Sequence, residues 1–245
     1  MRKIHVIPQK EAVREEKLTN CTAVVIDVFL ATSTIAFLMN KGYDTVFAVK
    51  DASSALKVKQ QQGDCLLLGE TKGRPIEGFH YPDPVLIQPS TRTKKAVICS
   101  TNGTIAIGKA GQAGTILTSS IVNGHLVAEY LLNKTVHSSI VIICSGNAGR
   151  FSLEDFIGAG HIIDHLTRTK EFHLSDGAKL AKESFQTAKA TSFSGLYSCE
   201  TAELLNSFGY KKSVDLVINH FESVPVLPIL AGDKIINLDN KEVST

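Results

Sequence analysis

Short runs of β-branched and other apolar residues recur along the chain. Each is followed by a turn signal and then by apolar positions at helical spacing. Such runs stand at residues 4–7, 23–28, 45–49, 65–68, 96–99, 115–117 and 140–144. The run 23–28 is almost unbroken in apolarity, as expected of a strand buried on both faces. Helical spacing fills the intervals at about 34–41, 52–62, 103–110 and 122–132. Strand and helix thus alternate through the first two thirds. This predicts an α/β fold of three layers, a mostly parallel or mixed sheet with helices on both faces.

The final third changes character. Residues 152–166, 176–188 and 196–208 read as helices, so the region from about 152 to 210 is helix-rich. Ser152 is a natural N-cap, with Asp155 three residues on in a capping-box-like arrangement. Pro225 and Pro228 frame a short extended piece, and residues 235–238 fit an edge strand. No repeat or long linker divides the chain, so residues 1–245 read as one domain. The segment 71–93 carries Pro75, Pro82, Pro84 and Pro89 and no periodicity; a loop of that length is usually functional or mobile.

Composition narrows the function. Hydrophobic residues make up 43% of the chain and charged ones 20%, the balance of an ordinary globular protein. With 26 Lys and Arg against 24 Asp and Glu, there is no basic field of the kind nucleic-acid binders use. Five cysteines, Cys21, Cys65, Cys99, Cys144 and Cys199, show neither CxxC nor zinc spacing. They read as buried free thiols in a reducing compartment. No run approaches the roughly 18 apolar residues of a membrane span, and the opening Met1-Arg2-Lys3-Ile4-His5 has no signal-peptide core. The expectation is a cytoplasmic protein without nucleic-acid or membrane partners. The sequence leaves room for a homo-oligomer.

In open α/β sheets, ligands bind beyond the carboxyl ends of the strands. Those ends deliver Asp27 with Thr32, Ser33 and Thr34; Glu70; Ser100, Thr101, Asn102, Gly103 and Thr104; and Ser145, Gly146, Asn147, Gly149 and Arg150, followed by Asp155. Two are Gly-containing turns leading into helix starts, where free N–H groups favour anions. Carboxylates beside anion cradles suggest Mg²⁺ bridging to phosphate. Asp27 and Glu70 are the first choices for metal ligands or water activation, with Asp155 as a further catalytic carboxylate and Asp176 as a further metal ligand. Arg150 would stabilise transition-state charge. Asn102, Gly103 and Thr104 would cradle an anion and Gly146, Asn147 and Gly149 would form a second cradle, with Thr32, Ser33, Thr34 and Thr101 as further substrate-binding residues. The same residue types also serve as N-caps.

Known phosphate signatures discriminate further. GxxxxGK[ST] and GxGxxG are absent, which removes P-loop and dinucleotide readings. Asp27-Val28-Phe29-Leu30-Ala31-Thr32 resembles the haloacid-dehalogenase opening but has Phe29 where that motif needs its second Asp. Cys144 to Arg150 fits CxxxxxR, so a cysteine-dependent phosphatase using Cys144 and Arg150 is an alternative.

Longer motifs match one family better. The stretch from Val25 to Ile35, Gly69-Glu70 through Ile76-Glu77-Gly78-Phe79-His80, Ser100-Thr101-Asn102-Gly103-Thr104, Cys144-Ser145-Gly146 through Asp155, and Ser175-Asp176-Gly177-Ala178 resemble, in order, the motifs of the 2-phosphosulfolactate phosphatases. That resemblance implies an α/β fold and Mg²⁺-dependent hydrolysis of 2-phospho-3-sulfolactate to 3-sulfolactate and phosphate, a step of coenzyme M synthesis in methanogens. Two positions depart from the pattern. Leu30 stands where the family usually has Arg, and His80 where it has Asp. They keep open a third alternative, an anion-binding homologue that has lost turnover.

Overall fold

The structure is a computed structural model and describes residues 1–89, 93–134 and 139–238. The chain runs through β1 (Lys3–Ile7), β2 (Cys21–Ile26), α1 (Ala31–Asn40), β3 (Thr45–Val49), α2 (Ala52–Gln62), β4 (Leu66–Thr71), β5 (Arg74–Pro75), β6 (Lys95–Cys99) and α3 (Gly103–Lys109). It continues through β7 (Thr115–Ser119), α4 (Gly124–Asn133), β8 (Ser139–Cys144), α5 (Leu153–Thr169), β9 (His173–Leu174), α6 (Asp176–Ala190), α7 (Glu200–Ser207) and α8 (Lys211–Asn219). The hairpin β10 (Pro228–Ala231) and β11 (Lys234–Asn237) comes last. The fold is α/β, with helices around a mixed sheet.

The sheet order is β5-β4-β6-β3-β11-β10-β7-β2-β8-β1-β9. β4, β6 and β3 are parallel to one another, as are β7, β2, β8, β1 and β9. The hairpin joins these two parallel halves through antiparallel contacts, Ile235 opposite Val46 and Ile229 opposite Leu117. Residues 235–238 were expected at an edge. Residues 235–237 instead lie in β11, in the middle of the sheet, because β3 and β7 each offer it and its partner an unpaired edge.

Every residue of β2 is buried, consistent with its place between β7 and β8. Alternation divides the other half. Phe47, Leu67 and Val97 face Ala55 of α2, while Val46, Leu68, Ala96 and Ile98 face the main core. Side chains of successive strand residues point to opposite faces, so both faces of β3, β4 and β6 are covered. α1 is buried from Ala31 to Met39, Thr32, Ser33 and Thr34 included. It packs against β3, β7, β10 and α3.

Three crossed antiparallel contacts separate β3 from β7, so the two halves run in opposite senses. In a flat sheet their carboxyl ends would lie on opposite edges. Yet Gly103, beyond β6, touches Asp27, beyond β2. The sheet therefore coils sharply at the hairpin, and α1 stands in the fold.

Candidate active site

The two sets of carboxyl ends meet at one cavity of about 390 Å³. Its wall includes Asp27, Leu30, Glu70, Lys72, Thr101, Asn102, Asn147 and Arg150. Tyr81 and Pro82 close one side, and Thr201, Leu204, Leu205 and Phe208 of the α7 region form an apolar side.

Asp27 is buried. Its Oδ1 accepts from the Ala31 N–H at 3.3 Å, and no described hydrogen-bond donor reaches Oδ2. Burial, followed by the neighbouring Glu154 and Glu70 carboxylates, raises its carboxyl to about 7 against the pull of the Ala31 N–H and Lys10. Glu70 is held by backbone. Its Oε1 accepts from the Thr101 N–H at 2.5 Å, and Oε2 from the Gly73 N–H at 2.7 Å and the Thr101 hydroxyl at 3.1 Å. Ionised carboxylates offer about four acceptor positions, so Glu70 keeps capacity for a ligand. Arg150 is 65% exposed and paired with Glu200 at 2.9 Å. Exposed pairs contribute about 0–1 kcal/mol, so Glu200 does not lock the guanidinium.

Other expected residues have different duties. The Thr32 hydroxyl donates to Ser119 O at 2.6 Å, Ser33 to Val28 O at 2.8 Å and Thr34 to Pro82 O at 2.8 Å. These three fully buried hydroxyls tie α1 to its surroundings and do not face the cavity. Thr104 exchanges bonds with Ser100. Gly103 contributes the space beside Asp27. In the second turn, the Gly146 N–H goes to Asp155, the Asn147 N–H to Arg150 O, and the Ala148 N–H to Asn102 Oδ1. The turn expected as an open anion cradle spends those N–H groups internally, and Gly149 is not on the cavity wall.

Asp155 is also a positioning residue. Its two oxygens accept from the Val28 and Gly146 N–H groups at 2.9 and 3.0 Å, stitching the end of β2 to the end of β8. Burial, then Asp27 and Glu154, push its carboxyl well up. Ser152 caps α5 as expected, accepting from the Asp155 N–H at 3.3 Å. Asp176 does not come to the site. It opens α6 with its side chain 99% exposed and paired with Lys179. Its place in the first helical turn explains it through the helix dipole.

Sequence reasoning missed Lys10. It is buried, and its ammonium donates to Asn102 Oδ1 at 2.7 Å and Ser145 O at 3.3 Å. Asn102 thereby bridges both halves. Lys10 follows β1, so the rule of inspecting strand ends applied there as well. The α7 wall was missed too; no strand-end rule points to α7. The irregular segment is pinned in its described part. Tyr81 stacks on Tyr210 with ring centroids 4.0 Å apart, and Ser213 donates to Asp83 at 2.7 Å. Residues 90–92 lie outside the described residues. His80 bridges to β4, is exposed and is not on the cavity wall.

Cys144 is fully buried, and burial, then Asp155 and Glu154, push its thiol well up. A nucleophilic thiolate requires the opposite shift. The cysteine-dependent alternative therefore loses its nucleophile.

The sequence model of one family, described as 2-phosphosulpholactate phosphatase, matches residues 7–232. The chain belongs to that family. A protein of Clostridium acetobutylicum named probable 2-phosphosulfolactate phosphatase is 38% identical over 189 residues, covering 76% of this chain and 80% of its own. One of Clostridium perfringens with the same name is 31% identical over 247 residues, covering 95% and 99%. One of Thermotoga maritima, again so named, is 34% identical over 210 residues, covering 84% and 88%. Membership places the chain among phosphoric monoester hydrolases. Among the described residues, no helix is long and apolar enough to cross a membrane.

Proposed function

We propose that this chain hydrolyses 2-phospho-3-sulfolactate to 3-sulfolactate and phosphate, with Mg²⁺ held by Asp27 and Glu70. The observation that carries this reading is the convergence of these two carboxylates with Lys72 and Arg150 on one cavity. The donors fit the ion. Both are hard oxygen ligands, and Asp27 Oδ2 has no described partner. When bound, Mg²⁺ polarises a phosphoryl oxygen and acidifies its water.

The chain's own residues do the rest. Lys72 and Arg150 bind the substrate's acidic groups, and Arg150 follows charge onto the phosphoryl oxygens. Lys10 and Asn102 hold the two loops together, and Asp155 fixes the backbone beneath them. Leu30 lines the cavity with hydrocarbon where the family pattern has Arg, so the anion contacts fall to Lys72 and Arg150.

The test is phosphate release from 2-phospho-3-sulfolactate. We expect it to vanish in EDTA, to return with Mg²⁺, and to be abolished by Asp27→Asn in a folded protein. Undiminished activity in EDTA would end the metal assignment. Binding of phosphosulfolactate without release would favour a homologue that has lost turnover.

A further inference from the structure

Away from the cavity, α5 carries His161 and His165 one turn apart, so both rings leave one face of the helix. That face meets Glu222, in the turn after α8. Glu222 Oε1 lies 2.8 Å from His161 Nε2 and 2.7 Å from His165 Nε2. Ligand atoms from these three residues all lie within 4.8 Å of one another.

Contacts hold the arrangement on several sides, although His161 Nδ1 has no hydrogen-bond partner among the described residues. The His161 ring is fully buried, 5.0 Å from the Phe185 ring and 4.9 Å from that of Phe221. Gly124 makes room for it, since a Cβ there would stand 2.5 Å from His161 Nδ1. The Glu222 N–H donates to Ile121 O at 3.1 Å. The His165 and Glu222 side chains remain 21% and 28% exposed, so ions can enter. His125 on α4 stands beside them, its ring 6.5 Å from that of His165. None of these residues lines the catalytic cavity.

We propose that His161, His165 and Glu222 bind a divalent metal of the zinc class through two imidazole nitrogens and one carboxylate oxygen, with water in the fourth position. Two nitrogens and one oxygen suit zinc, whereas Mg²⁺ and Ca²⁺ take oxygen. Zinc–ligand bonds of about 2.0–2.1 Å put neighbouring tetrahedral ligands roughly 3.3 Å apart. The Glu222 Oε1 contacts of 2.8 and 2.7 Å open to that with a shift of some tenths of an ångström, and the two ring nitrogens, which lie within 4.8 Å of each other, turn toward the ion. Burial keeps the His161 ring neutral, its pKa lowered to about 4, as ligation requires. Each ring then carries its proton on Nδ1, where now Nε2 donates to Glu222. The ion would clamp α5 to the segment that leads into β10.

The test uses the untagged full chain, freed of metal by chelation and titrated with zinc chloride under calorimetry, with melting temperature as a second readout. One equivalent should bind and raise the melting temperature, in wild type and in Asp27→Asn alike. His165→Gln and Glu222→Gln, each checked for fold by circular dichroism, should lose it. Loss of an outer-shell partner alone costs roughly 10–100-fold in metal affinity, so these direct ligands should cost more than 100-fold. Mg²⁺-dependent phosphate release by His165→Gln should stay at the wild-type level. No binding by wild type, equal binding by both cluster variants, or zinc lost in Asp27→Asn but kept in His165→Gln would each overturn the proposal.

Discussion

Gly103 is where the two halves of the sheet touch. A Cβ at that position would stand 2.4 Å from Asp27 Oδ2 and 2.6 Å from Ala31 Cβ. Gly103→Ala must therefore move the carboxylate or part α3 from α1. A displacement of about 1 Å at a reacting centre costs on the order of 100-fold. We expect phosphate release to fall by about that factor with an unchanged far-ultraviolet spectrum. Activity within about twofold of wild type would show that this contact does not place Asp27. At this scale the sequence was half legible. Asp27 and Glu70 stand out at strand ends because a buried strand gives way there to a charge. It could not show that Asp155 faces backbone, since one of its donors, Val28, lies 127 residues away. Nor could it separate a first-turn dipole partner such as Asp176 from a ligand.

Caps show the same logic in whole elements. Asp51 caps α2. Its Oδ1 accepts from the Ser54 N–H and the Ser53 hydroxyl, both at 2.8 Å. The bonds from Ser54, then Ser53, hold the carboxyl down to about 2, below the unfolded value of about 3.9. A lowered folded pKa adds stability that is complete above the unfolded pKa and is lost as pH falls through the folded one. Asp51→Ala should thus melt below wild type at pH 6 (roughly neutral conditions for a carboxylate). The two melting temperatures should converge as pH drops from about 4 to about 2. A gap that ignores pH would remove the charge from the cap. α2 was legible because it has this cap and a polar outer face. α8 was not. It begins with Lys211 and Lys212 at the end where the dipole disfavours cations, and Tyr210 offers no side-chain cap. Only its buried stripe of Ser213, Val214, Val217 and Ile218 marks it as a helix. Residues 196–198, expected to open the helix that became α7, belong instead to a separate 3-10 turn, Ser194–Ser198, after Phe193, whose φ is +60°.

Taken as a whole, the molecule is two parallel sheets closed by one hairpin. Ile235 is fully buried and faces Val46. Ile235→Asp puts an unpaired charge at the join, on the scale of about 3–5 kcal/mol of lost stability. Urea denaturation should record a loss of that size, and one below about 1 kcal/mol would mean the halves hold without the join. The alternation of strands and helices was readable because each βα unit is local. The coil of the sheet was not, because it depends on where the last strands insert.

That insertion also sets an order in time. β3 and β7 are made early, while the strands that cover their flanks leave the ribosome more than a hundred residues after β7. At about 5–20 residues per second, both flanks stand open for on the order of ten seconds. During that interval each is a template for another chain's strand. The nascent protein must either keep its halves apart or be sheltered until the hairpin arrives, and only then do Asp27 and Glu70 come to face the same cavity.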